Sequence, residues 1–408
     1  MKKYILIICL SCFGYLWLAG QNTWELLSSP VDEDLLSCYF ISNDIGWIVS
    51  EEGSILHTSD GGMIWQQLQF PDVCFSAVYF ADMNFGCAVG WKENGADSSV
   101  ILLTNDGGNN WNFAEHPAVK HLNDVFFINN TRGWAVGCLY ENNINCCLYT
   151  EDGGMNWEKQ TGIAVMEAEL FAVHFRDDNV GNSCGHDGAF FTTNSGGMNG
   201  WALGISMPLI DLNDIFNYGT QGGCMVGDEG TALYTNNNWG QYVESNTSTN
   251  AELNAVSGYP EANKFWAVGD NGTIIYSPNL LLGWIIQEAG VNENLHDICI
   301  LNEFEGWAVG DNGTLLRMVP ASSVEENISA GVTVFPNPLI NNTLKIHLDQ
   351  PLEFTCLQLA DLNGKIIYER NDLLSRLIEI NVADLPAGVY YINLYGHNQS
   401  FCKKILVF

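Results

Sequence analysis

Positive charge is scarce in this 408-residue chain: 15 Lys and Arg stand against 47 Asp and Glu, a formal net charge of −32. Nucleic-acid binding needs clustered cations to neutralise phosphates, so that class is excluded. Anionic membrane surfaces are disfavoured for the same reason. Long apolar runs are missing too. Beyond residue 20 no stretch reaches the roughly 20 apolar residues of a transmembrane helix. Past that point the sequence also lacks any Cys-x-x-Cys or Cys/His spacing of a zinc motif. It has no nucleophile elbow, phosphate loop or His/Glu metal motif. The default reading of the acidic excess is solubility.

What is present begins with an export signal. Lys2 and Lys3 precede an apolar stretch from Tyr4 to Leu18, and Leu18-Ala19-Gly20 offers small residues for cleavage near Gln21. Residues 1–20 therefore read as a signal peptide. Of 13 cysteines, Cys9 and Cys12 leave with it. An exported chain permits disulfides. Cys138 with Cys146 or Cys147, and Cys356 with Cys402, are the candidate pairs. Cys87, Cys184, Cys224 and Cys299 replace repeat-core residues and read as buried thiols.

Two motifs recur. The first is Thr58-Ser59-Asp60-Gly61-Gly62-Met63-Ile64-Trp65, repeated with Asp106 at residues 104–111 and with Asp152 at 150–157. It is turn chemistry: the Asp caps backbone N–H groups and the glycines accept φ > 0. The second is Gly-Trp-Ala-Val-Gly and its variants, ending at residues 50, 90, 137, 185, 227, 269 and 310. Seven copies at a period near 40–50 residues predict a propeller. Each repeat reads as four strands. Asn-Gly at 271–272 and 312–313 marks the hairpin between the second and third. Repeat seven lacks a fourth strand, and Trp24–Leu27 at the other end of the chain is expected to supply it. Closing the ring this way removes an open sheet edge. Longer hairpins at Trp91–Ser99 and Cys138–Cys147 are candidates for a grafted binding surface.

The fold expected is all-β: a seven-bladed propeller over residues 21–321, a linker at 322–330, and a small Ig-like β-sandwich at 331–408. Several short alternating strands in the last segment carry the sandwich reading.

The octet resembles the Asp-box, or BNR repeat. The repeats as a series resemble the propellers of photosystem II assembly and stability factors. The last segment is similar to type A sorting domains of the type IX secretion system. Pro336-Asn337-Pro338, Gly364-Lys365, Gly388 with Tyr390, and Lys403-Lys404 carry that likeness. It implies a Bacteroidota-type envelope and passage through the periplasm. It also implies type IX secretion machinery as partner, removal of the domain, and a secreted or surface location. Fold resemblance does not transfer function.

Asp-boxes also occur in sialidases, whose chemistry needs three convergent arginines. Residues 21–321 hold Arg132, Arg176 and Arg317, at positions ill suited to one pocket. Asp124, Asp214 and Asp297 share one place in the first strands of repeats three, five and seven. They are candidates for a cation site in the channel, with Ca2+ the one cofactor in view. The plainer alternative is that each bonds backbone in its own blade. No catalytic residue is assigned. The reading is a non-catalytic propeller binding a protein or glycan. A carbohydrate-active hydrolase is the alternative.

Overall fold

The computed structural model describes residues 22–92, 99–140, 144–164 and 166–319, and within the C-terminal segment 332–335, 343–348, 354–361, 365–371, 376–382, 385–386, 388–396 and 400–407. The signal peptide lies outside these residues. Two compact units are present, Asn22–Pro320 and one holding Ala321–Phe408.

In the first unit, seven four-stranded antiparallel sheets follow one another in chain order. Their innermost strands are Leu35–Phe40, Val73–Phe80, His121–Phe127, Leu170–Phe175, Leu212–Tyr218, Leu253–Tyr259 and Leu295–Asn302. Each packs on the next, and the seventh packs on the first, so the sheets close into a ring. The outer strand of blade 7 is Thr23–Leu27, paired antiparallel with Leu315–Val319. The ring is thus closed by the chain's first strand joining its last blade.

Every blade repeats one local device. The Gly-Trp-Ala-Val-Gly strand is buried on both faces, as an inter-blade strand must be. The inner strand carries a β-bulge at the same place in all seven blades, as at Leu122/Asp124 and Leu212/Asp214. In blades 2 to 7 the repeat ends in a glycine that faces this bulge, and in blade 1 Ser50 takes that place. A Cβ on Gly137 would lie 2.1 Å from the His121 carbonyl. In those six blades the glycine eases the close approach, yet the bulge does not require it, because blade 1 forms it opposite Ser50; the bulge aims two successive side chains at the next blade.

The tryptophans of the repeat are inter-blade core. Trp47, Trp134 and Trp307 stack on Phe80, Phe175 and Phe40 of the following blade, centroids 3.4, 3.5 and 3.9 Å apart. Trp47 Nε1 also donates to Gly107 O in the next blade's Asp-box, as Trp134 Nε1 does to Gly196 O. At 271–272 and 312–313 both residues have positive φ, the geometry of a two-residue hairpin turn.

The C-terminal unit has a three-stranded sheet, Val332–Phe335, Thr343–Leu348 and Leu377–Asn381. A four-stranded sheet is built from Phe354–Asp361, Ile366–Asn371, Gly388–Gly396 and Ser400–Val407. Leu344, Ile346, Ile380, Leu357, Ile392 and Ile405 share one core between them.

Among the described residues the expected disulfides are absent. Cys138, Cys146, Cys147 and Cys356 are free thiols. Cys138 pairs in register with Asn145, so Cys146 points to the opposite face of the sheet and Cys147 is only a diagonal neighbour. Cys356 and Cys402 lie on strands separated by Gly388–Gly396. Two strand spacings are roughly 9–10 Å, beyond disulfide reach.

Candidate functional site

The Asp-box turns are built identically in blades 1, 2 and 3. In blade 2 the buried Thr104 hydroxyl donates to Asp106 Oδ1 at 2.9 Å and accepts from Gly108 N at 2.9 Å. Asp106 Oδ1 accepts from Asn110 N at 2.9 Å. Asp60 and Asp152 repeat this on Ile64 N and Asn156 N. In blades 4 and 5 Thr193 and Thr235 keep the Thr role, while Ser195 and Asn237 replace the Asp on Asn199 N and Gln241 N. The box is a turn whose hydroxyl is the constant part. Thr104→Val should cost about 1–3 kcal/mol, because it strands the buried Gly108 N–H without an acceptor. Urea unfolding of the two proteins measures this.

Asp124, Asp214 and Asp297 line the central channel, a cavity of about 310 Å³. Each carboxylate takes one bond from its own blade and at least one from the next. Asp124 accepts from Val125 N at 2.7 Å and Val173 N at 2.8 Å. Asp214 accepts from Ile215 N at 2.7 Å and Val256 N at 2.8 Å. Asp297 accepts from Ile298 N, Cys38 N and the Ser37 hydroxyl at 2.7–2.9 Å. The own-blade alternative therefore describes only part of each bonding pattern. The rest of each pattern latches neighbouring blades. The remaining junctions use other residues of the same strands: Ser37 on Val78 N, Ser76 on Leu122 O, Asn217 on His174 O, and Asn254 on Leu295 O. Burial pushes Asp124 up to about 7 and Asp214 up to about 8, and raises Asp297. Groups holding protons near neutrality make a weak cage for a hard cation.

The three arginines do not converge. Arg132 reaches Asp178, Arg176 reaches Asn238, and Arg317 lies against Gly61, at the 3/4, 4/5 and 7/1 junctions. Tyr149 donates to Glu151 and accepts from Arg132 Nε beside a cavity of about 360 Å³. Burial and the Glu151 bond push Tyr149 up to about 12, the wrong direction for a nucleophile.

At the end bearing the second hairpin of each blade, carboxylates gather round the channel mouth. Asn213 and Asn254, on inner strands, reach Asp228 and Asp270. His296 reaches Asp311 at 2.5 Å. Asp228 and Glu252 are both raised, by burial first and then by the carboxylates around them, Asp211 and Asp270 in each case. The middles of the two long hairpins, 93–98 and 141–143, lie outside the described residues. Where the second of these hairpins leaves the sheet, His121, Cys138 and Glu169 come together. Sequence reasoning missed both the acidic mouth and this group. Their members are separated in sequence by between a dozen and several dozen residues, and strand pairing within a blade and packing between adjacent blades bring them close.

Comparison with known proteins finds a match in each unit. Residues 18–116 match the family model described as photosynthesis system II assembly factor YCF48, and residues 333–408 that of the secretion system C-terminal sorting domain. The propeller is photosystem II assembly factor-like, and the tail is a secretion system C-terminal sorting domain. The chloroplastic photosystem II stability/assembly factor HCF136 of Oryza sativa subsp. japonica is 24% identical over 324 residues, 74% of this chain and 72% of that protein. The structure titled YCF48 bound to D1 peptide has TM-score 0.58 and 21% identity, covering 73% of this chain and 95% of its own. YCF48 from Cyanidioschyzon merolae has TM-score 0.58 and 19% identity, covering 73% and 99%. At these identities the solved structures speak for the fold alone.

The sorting tail marks the chain for export to the cell surface or beyond. Among the described residues, no helix is long and apolar enough to cross a membrane. Of the residues that carried the likeness, Tyr390 is buried and its hydroxyl donates to Pro386 O at 2.8 Å. Gly388, Lys403 and Lys404 lie in strands, and Lys365 is exposed just before one. Pro336, Asn337, Pro338 and Gly364 lie outside the described residues.

Proposed function

We propose that the protein is an exported, non-catalytic propeller that binds a basic polypeptide segment at its acidic channel mouth. The observation that carries this is the grouping of Asp211, Asp228, Glu252 and Asp270, with carboxylates raised by burial and mutual proximity. Such a group gains from a cation that relieves the repulsion. A propeller of the same fold has been solved with a peptide bound, which makes a peptide the natural occupant to test. In this reading the type IX machinery handles only the tail, and the propeller's work begins outside the cell.

The test measures binding of Lys/Arg-rich, neutral and acidic peptides, and of soluble polysaccharides, at about 50 and 200 mM salt. The basic peptides should bind, and binding should weaken as salt screens the mouth. The double variant Asp228→Asn, Asp270→Asn should lose at least about tenfold, roughly 1.4 kcal/mol. Binding of a polysaccharide alone would return the glycan reading. Hydrolysis of that polysaccharide would establish the hydrolase.

A further inference from the structure

We propose that His121, Cys138 and Glu169 form a site for a borderline-soft divalent transition ion, Zn2+ foremost, at the junction of blades 3 and 4. His121 opens the inner strand of blade 3, and Cys138 ends its second strand directly opposite in register. Glu169 immediately precedes the inner strand of blade 4. One ligand atom from each lies within 4.8 Å of the others, with His121 Nδ1 and Glu169 Oε1 3.7 Å apart. Zinc bonds of about 2.0–2.3 Å place tetrahedral ligands roughly 3.3–3.8 Å from one another. The site as it stands needs a contraction of at most about 1 Å along any edge, within the reach of small side-chain adjustments.

The neighbours hold the ligands in place. Asn123 Nδ2 donates to Glu169 Oε1 and to Leu170 O, both at 2.8 Å, which fixes the carboxylate against the blade junction. The Trp91 ring lies 5.1 Å from the His121 ring and limits its rotation. Lys120 N donates to Cys138 O and pins the strand end that carries the thiol. Such outer contacts accompany metal ligands because they orient them.

The donor set decides the ion. A sulfur and an imidazole nitrogen select zinc-like ions over Ca2+ or Mg2+, which take oxygen ligands. Cys138 is buried and free, so it is neither spent in a disulfide nor open to attack a large substrate. His121 and Glu169 are half-buried, which leaves an entry path and room for water as fourth ligand. On binding, the thiol gives its proton to solvent and the sulfur lone pair forms the bond to the ion. No redox step is involved.

The test uses the full chain without its signal peptide, reduced, stripped with chelator and titrated with Co2+. One equivalent should produce a thiolate-to-cobalt charge-transfer band that Zn2+ then abolishes. Cys138→Ser should remove the band. Glu169→Gln and His121→Gln should each weaken Zn2+ binding at least about tenfold. Both residues are half-exposed, so these two variants keep the question open should the core cysteine variant not fold. Cys356→Ser should leave the band unchanged. No band in the parent protein, or a band that survives Cys138→Ser, overturns the proposal.

Discussion

Trp24→Ala is expected to cost about 3–5 kcal/mol, among the largest losses available to a single substitution here. Trp24 sits in the strand that completes blade 7, yet it packs among Trp266, Val268, Ile298 and Met318, which belong to blades 6 and 7. Its indole Nε1 donates to Gln287 Oε1 of blade 6 at 3.1 Å. Truncation therefore opens a cavity at a blade junction and leaves a buried amide oxygen unpaired. Deleting residues 22–27 goes further. It exposes Leu315–Val319 as an open edge, a template for pairing with another chain. The truncated protein is expected to self-associate where the parent remains monodisperse. Glu25→Ala, on the exposed face of the same strand, should stay within about 0.5 kcal/mol. Urea midpoints for the two substitutions and light scattering for the deletion decide it. Equal midpoints for Trp24→Ala and the parent would mean that the first strand does not close the ring in solution.

The parts of this architecture that repeat were legible in the sequence, because repetition is itself the signal. Seven Gly-Trp-Ala-Val-Gly copies announced seven sheets, and Asn271-Gly272 announced a hairpin. The unmatched Trp24 pointed to the closing strand. Illegible were the contacts that run between blades. Asp124 stood out by position, but its second bond goes to Val173, 49 residues away, and nothing local predicts it. Asn123 looked like an ordinary polar strand residue. Only the bulge shows that it too is aimed across the junction, onto Leu170 O. The disulfide expectation failed for a related reason. Proximity in sequence placed Cys138 near Cys146, while the alternation of the strand turned them to opposite faces.

Between about pH 4 and about pH 8 the propeller is expected to lose stability as pH rises, an unusual direction for so acidic a protein. An unfolded aspartate gives up its proton near 3.9. In the folded ring burial lets Asp124 keep its proton to about 7 and Asp214 to about 8. Across that window the folded state binds more protons than the unfolded one, so the slope of unfolding free energy with pH is negative. Their contribution is whole below about 4 and gone once pH passes the folded values. The Asp-box residues act oppositely. Backbone N–H and side-chain donors hold Asp60, Asp106 and Asp152 below the ordinary range, and the stability they confer is lost as pH falls. The two sets together place the optimum in mild acid. Asp214→Asn should lower the midpoint at pH 5, since an amide nitrogen cannot accept one of the two backbone bonds. The same change should flatten the slope between pH 5 and 8. Urea midpoints at four pH values for both proteins read this directly. A parent midpoint that climbs from pH 5 to 8 would show the channel carboxylates ionised in the fold. Three charges facing one cavity would then need a counter-ion, and added Ca2+ should raise the midpoint. With the protons held as burial dictates, Ca2+ at pH 6 should leave it where it is.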